Sequence, residues 1–262
     1  MTARNTHARA SAARAARAAA TGLATLLLPL ALTGCAGQPP TPEFAIRYEE
    51  PAPADAAEAR FLRDRKLIEP VLADLNAYLA LPHRVTVTAR SCAGEGTGYD
   101  PAERLVELCY DDLTEDRELF DHAGSPHPDE DLAEVVRETI HHEAGHALAD
   151  ALDLALDDRA EEDAADRFAQ LMLLRTGRPE GETTLLTAAR AYDLAAEADP
   201  APDPSDEHAP PATRAESHRC AVHGAAPARH PDLATPTRAH CATTWAETRS
   251  AWTRDLDPLL RR

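Results

Sequence analysis

The chain is poor in positive charge. Its 262 residues carry 27 Lys and Arg against 45 Asp and Glu, a formal net charge of −18. A surface of that sign repels phosphate backbones and anionic lipid headgroups, which excludes a nucleic-acid partner and a polybasic membrane contact. A long hydrophobic run is also missing. The one candidate, Ala20 to Gly34, is short and interrupted by Gly22 and Pro29, so it makes no comfortable bilayer span. The five cysteines show no C-x-x-C spacing, which argues against a cysteine-rich zinc site, and no internal repeat points to a repeat architecture.

Acidic residues are absent from the first 34 positions, which hold Arg4, Arg9, Arg14 and Arg17 ahead of the apolar run. That order reads as a secretion signal. It ends in "LTGC", Leu32 to Cys35, not in an A-x-A site, and this ending resembles the bacterial lipobox. The resemblance implies that Cys35 becomes the first residue of the mature chain and carries lipid. The protein would then sit in the bacterial cell envelope, exported and anchored to the outer face of a membrane. An ordinary cleaved signal followed by a chance cysteine is the alternative. Removal of residues 1–34 takes away four arginines and moves the formal charge from −18 to −22. Attachment would then rest on lipid alone, where one chain is marginal and two or more hold. The expected organisation is a signal peptide over 1–34, a lipidated Cys35 and Pro-rich tether over 35–56, and one domain over 57–262. A short strand near Phe44 to Tyr48 lies in or at the end of the tether.

Four cysteines remain: Cys92, Cys109, Cys220 and Cys241. An even number in an exported chain suggests two disulfides. Cys92 and Cys109 flank an expected hairpin, and Cys220 and Cys241 an expected helix-loop-helix. Neighbours are therefore paired here, out of three possible connectivities.

Apolar residues recurring at three and four predict an amphipathic helix over Ala57 to Leu79, with Pro70 a kink or restart. "RVTVTARSC" (Arg84 to Cys92) and "RLVELCYD" (Arg104 to Asp111) alternate and are partly β-branched, with a Gly-rich link between them. They read as two antiparallel strands. From Asp129 the period turns helical through "DEDLAEVVRETIHHEAGHALADALDL", so "HHEAGH" lies inside a helix. Further helices are expected near Arg159 to Leu174, Thr184 to Ala198, Thr213 to His223 and Ala242 to Leu260, with residues 199–211 a loop.

On a helix, positions i and i+4 share one face. His142 and His146 can therefore turn imidazole nitrogens toward a single Zn2+, with Glu143 beside them as a base for water whose pKa the ion lowers. Catalytic zinc takes a third protein ligand, and the next helix offers "RAEEDAADRFA", Arg159 to Ala169. Glu161, Glu162 and Asp163 all qualify by type. They lie about 100° apart on the helix, so one of them can face the ion squarely.

Glu162-x-x-x-Asp166 resembles the Glu-x-x-x-Asp segment of gluzincin metallopeptidases. The resemblance implies Glu162 as third ligand and Asp166 as a partner of the far nitrogen of a ligand histidine, His142 by analogy. More narrowly, His141 to Leu174, the segment Cys92…Tyr99-Asp100-Pro101…Leu108-Cys109-Tyr110, "DEH" (Asp206 to His208) and the late cysteine pair are similar to a bacterial family of unknown function described as metallopeptidases. The likeness spans roughly residues 60–260. It departs between Gly94 and Tyr99, which is unusually Gly-rich, and in "HAPPATRAESHRCAVHG", which carries Pro210, Pro211 and His218.

Other histidines carry less. His141 is expected to be an exposed neighbour, and His122 and His127 to lie in a polar loop. His208 could donate to the oxyanion formed when a carbonyl is attacked, or be an ordinary loop residue. The strand Arg104 to Tyr110, or its partner, could pair with an extended peptide at a sheet edge. The resulting expectation is an α+β, zincin-like fold: a small N-terminal sheet with a helix, a central active-site helix and a mostly helical C-terminal part. The expected function is zinc-dependent hydrolysis, of peptides by resemblance, with one Zn2+ per chain and Glu143 and His208 in catalytic roles. The rival is a non-catalytic envelope lipoprotein whose closed zinc site staples two helices while its surface binds a partner.

Overall fold

A computed structural model describes residues 41–199, 201 and 206–261. The expected signal segment and Cys35 lie outside them. The described residues pack as one unit of the α+β class anticipated above. Its sheet has four strands in the order β1-β2-β4-β3, with β1 Phe44–Tyr48, β2 Val85–Arg90, β3 Gly98–Asp100 and β4 Leu105–Cys109. The strand read within the tether is β1, whose Phe44 is buried in the core, so the packed unit begins before residue 57.

The two alternating segments pair in parallel, not as the expected hairpin: Val87 stands opposite Val106 and Arg90 opposite Cys109. A hairpin needs a short turn, whereas residues 91–104 are long enough to carry the chain back across the sheet. The middle of that link, β3, adds antiparallel to the outer edge of β4 with Tyr99 opposite Val106. Gly94 and Gly96 sit at φ +84° and +86°, the left-handed region that glycine tolerates, which accounts for the Gly-rich link. The parallel register leaves Cys92 and Cys109 side by side, and they form a disulfide, as do Cys220 and Cys241. Both strands considered for peptide pairing, β2 and β4, are interior. The edges are β1 and β3.

The stretch expected as one helix is two, α1 Ala56–Arg65 and α2 Ile68–Tyr78. The break falls at Lys66, which adopts φ 49° as a left-handed cap. Pro70 lies in the first turn of α2, where its missing N–H leaves no hydrogen bond unmade. A helix absent from the sequence reading, α3 Tyr110–His122, starts directly from β4, so His122 ends a helix and is not part of a loop. The motif helix is α4 Pro128–Ala151, opened by Pro128 and then Asp129, Glu130 and Asp131 at its positive end. Next come α5 Asp158–Leu174, capped by the Asp157 carboxylate, and α6 Pro179–Ala198. Then α7 Pro211–Ala225 and α8 Cys241–Asp255 are stapled by their disulfide. The chain returns to α2 at its end: Leu79 bridges Leu260, and the Arg261 amide donates to the Tyr78 carbonyl at 3.0 Å. No described helix is long and apolar enough to cross a membrane.

Candidate metal centre

The closest approach of α4 and α5 makes the site. A Cβ placed on Gly145 would stand 2.7 Å from the Cα of Ala165, so these two backbones meet because position 145 has no side chain. That contact sets the stretch of α4 around Gly145 against the second turn of α5, with Glu162 and Asp166 opposite His142 and His146. Nε2 of His142 lies 3.2 Å from Nε2 of His146. Oε2 of Glu162 lies 3.2 Å from the first and 3.5 Å from the second, without the alignment of a hydrogen bond to either.

The far nitrogens decide what faces inward. His142 Nδ1 stands 2.9 Å from Asp166 Oδ1, and His146 Nδ1 2.9 Å from Glu161 Oε1. Carboxylates only accept, so each ring donates from Nδ1, and both Nε2 atoms present lone pairs. Two imidazole lone pairs and a carboxylate oxygen at these separations repel one another unless a cation lies among them. The set of two neutral imidazoles and one carboxylate fits Zn2+ by type and number. Of the three candidate carboxylates Glu162 alone reaches this cluster. Glu161 orients His146, and Asp163 pairs with Arg167 on the outer face.

Asp166 is held in turn by Arg214 of α7, whose Nη2 donates to Oδ1 at 2.6 Å and whose Nε donates to Oδ2 at 3.0 Å. The Arg214 guanidinium also stacks 4.3 Å from the Tyr192 ring centroid. Burial works against charge on Asp166, but Arg214 and His142 outweigh it and hold its carboxyl well below the usual range. Glu162 behaves alike: burial opposes ionisation, and the three histidines around it more than compensate. Burial also opposes charge on His142, yet the hydrogen bond to Asp166 and the neighbouring Glu162 carboxylate push its pKa up to about 10; the ring is neutral at Nε2 only when a metal cation takes the place of that proton.

Glu143 is 6% exposed and its Oε2 has no hydrogen-bond partner. Burial pushes this carboxyl above the usual carboxylate range, with His142 and His146 opposing. His208 arrives on the loop before α7. Its Nε2 is 2.9 Å from Glu162 Oε2, its Nδ1 is 3.1 Å from Asp206, and its ring stacks on His142 at 5.9 Å. A cavity of about 310 Å³ opens beside Glu143, His142 and His208 and runs between α3, α4 and α6.

His141, expected to be exposed, is buried with Nδ1 at 2.7 Å from the Arg137 carbonyl. His218 is buried as well, between Gln170 and Glu138. Sequence reasoning missed Arg214: it lies 48 residues beyond Asp166, in a stretch with no periodic relation to the motif.

Residues 48–256 match the family DUF4344, described as "Putative metallopeptidase". The chain belongs to this family. The match takes in every residue of the cluster, both disulfides and the whole sheet except the first residues of β1. No curated protein and no solved structure matches the chain.

Proposed function

We propose that the protein is a zinc-dependent peptide hydrolase. The observation that carries this reading is the convergence of His142 Nε2, His146 Nε2 and Glu162 Oε2 beside an unpartnered, buried Glu143 carboxylate that lines a cavity. His142, His146 and Glu162 would hold the ion, with Asp166, Arg214 and Glu161 fixing the two rings. Zinc bound there supplies a Lewis acid that polarises a carbonyl and lowers the pKa of water. Glu143 takes a proton from the attacking water on its free Oε2 and hands it to the departing amine. Its raised proton affinity matches it to both tasks. His208, its Nδ1 held by Asp206, would donate from Nε2 to the oxygen on which negative charge develops when the ring is doubly protonated. The cavity beside Glu143 supports this reading over a closed, purely structural zinc site, which would keep no room for substrate.

Glu143→Gln tests the assignment. The variant should retain zinc at the parent level and lose hydrolysis; retained hydrolysis would remove Glu143 from the mechanism. The envelope location rests on the lipobox-like "LTGC" alone. Cys35→Ser should move the protein from the membrane pellet to the soluble fraction, and an unchanged distribution would exclude lipid on Cys35 as the anchor.

A further inference from the structure

The cavity beside Glu143 has an uneven charge that the hydrolytic reading leaves unexplained. Four more carboxylates line it: Asp112, Glu115 and Asp116 from α3 and Glu138 from α4. Two of these are satisfied. Asp112 accepts the Thr97 amide at 2.7 Å, and Glu138 accepts from His218 at 3.1 Å and from the Tyr192 hydroxyl. Glu115 and Asp116 make no hydrogen bond or ion pair among the described residues, and neither does Oε2 of Glu143. Arg214 lines the same cavity but is committed to Asp166, so it does not neutralise them. Arg117, next to Asp116, turns away to Glu58 and Asp129.

The rest of the lining is apolar, with Leu119 and Val135 near these acids and Ala191 across from them on α6. A hydrocarbon wall with unpaired carboxylates matches a side chain that has an aliphatic stem and a cationic head. A volume of about 310 Å³ is at the small end for ligand sites, room for a side chain and not for a folded partner.

We infer that this cavity receives a Lys or Arg side chain of the peptide substrate, with Asp116 and Glu115 as the groups that select it. The inference rests on the peptidase reading for its substrate class and deepens it. Burial together with neighbouring Asp112, Glu115 and Glu138 pushes the Asp116 carboxyl up to about 7, the behaviour of an acid that lacks its counter-ion. A bound ammonium or guanidinium supplies that counter-ion and removes the repulsion among these groups.

The test is calorimetric binding of two blocked tripeptides, acetyl-Ala-Lys-Ala-amide and its norleucine isostere, to the full chain with metal chelated, so that hydrolysis is silent. The Lys peptide should bind at least about tenfold more tightly than the isostere, as expected for one charge-assisted contact. In the Glu115→Gln/Asp116→Asn double variant that ratio should fall to near one. Equal affinities in the parent, or binding of neither peptide, overturns the inference without recourse to a variant. A second arm exposes the zinc-loaded parent to a degenerate peptide mixture and reads the cleaved bonds by mass spectrometry. Cleavage without enrichment of basic residues defeats the pocket and leaves the peptidase. A Lys preference in binding with no peptide cleaved defeats the peptidase and leaves the pocket.

Discussion

Replacing Gly145 by Ala should damage the metal centre even though it adds a better helix former. Helix propensity alone predicts a gain of about 1 kcal/mol. The structure predicts a collision: the new Cβ would stand 2.7 Å from Ala165 Cα, 3.1 Å from its Cβ and 3.2 Å from its carbonyl oxygen. Carbon atoms rest at about 3.5–4.0 Å, so α4 and α5 must part by about 1 Å. Overpacking of this kind costs about 1–3 kcal/mol, leaving a net loss of about 0–2 kcal/mol after the propensity gain. At about 2–4 °C per kcal/mol for a domain of this size, the melting temperature shifts by no more than several degrees. The effect on metal is larger. Glu162 lies within a turn of Ala165, and zinc ligand distances tolerate only about 0.2 Å. Zinc affinity should fall at least about tenfold, or about 1.4 kcal/mol. Competition with a chromophoric chelator measures the affinity, and a melt of the metal-free protein measures the stability. A variant with the parent's zinc affinity and a higher melting temperature would refute the close approach of the two helices.

Two other substitutions separate positioning from charge. Asp166→Asn keeps the shape of the side chain but leaves buried Arg214 without its counter-ion and His142 without an anionic acceptor. Stability in urea should drop by about 3–5 kcal/mol and zinc affinity about 10–100-fold, and a variant unchanged in both would dismiss the Asp166 network. Asp116→Asn probes the acidic cavity. The unfolded residue titrates near 3.8 and the folded one near 7, so between those values the folded state keeps a proton that the unfolded chain has lost. Asp116 therefore withdraws stability as pH rises through that window, and the loss is complete above it. Asp116→Asn should melt a few degrees higher than the parent at pH 8 and at the same temperature below pH 4; a pH-independent difference would contradict the raised carboxyl.

The motif helix was legible because three features agree there: an acidic first turn behind Pro128, the helical period, and His142 and His146 on one face. Glu162 was not separable from Glu161 and Asp163 by composition. The resemblance selected it, and the helix rotation shows why the other two miss the cluster of ligand atoms: Glu161 reaches the far nitrogen of His146, and Asp163 turns outward to Arg167. Strand direction failed for a physical reason: alternation marks a strand but carries no sign, so β2 and β4 look the same parallel or antiparallel. The helix α3 escaped notice because Tyr110, Leu113 and Phe120 are its only buried positions and most of the rest of it is acidic. His141 read as exposed since its neighbour was read as a metal ligand, yet α4 is enclosed on several sides and buries both. Arg214 has no local signature at all; only the packing of α7 against α5 brings it to Asp166.

The return of the chain to α2 has a consequence for the order of assembly. Arg261 donates its side chain to the carbonyls of Asn76 and Leu79 across 185 and 182 residues of sequence. Phe44, at the start of β1, is bonded on both its amide and its carbonyl to the Asn76 side chain on the same helix. One short helix thus holds the beginning and the end of the packed unit together, a pair of contacts with very high loop-closure separation. During synthesis, α2 and β1 stand ready long before their last partner emerges. Closure around α2 therefore awaits residues 260 and 261, and replacing Arg261 by Ala should loosen α2 and, through Asn76, the β1 strand at the start of the packed unit.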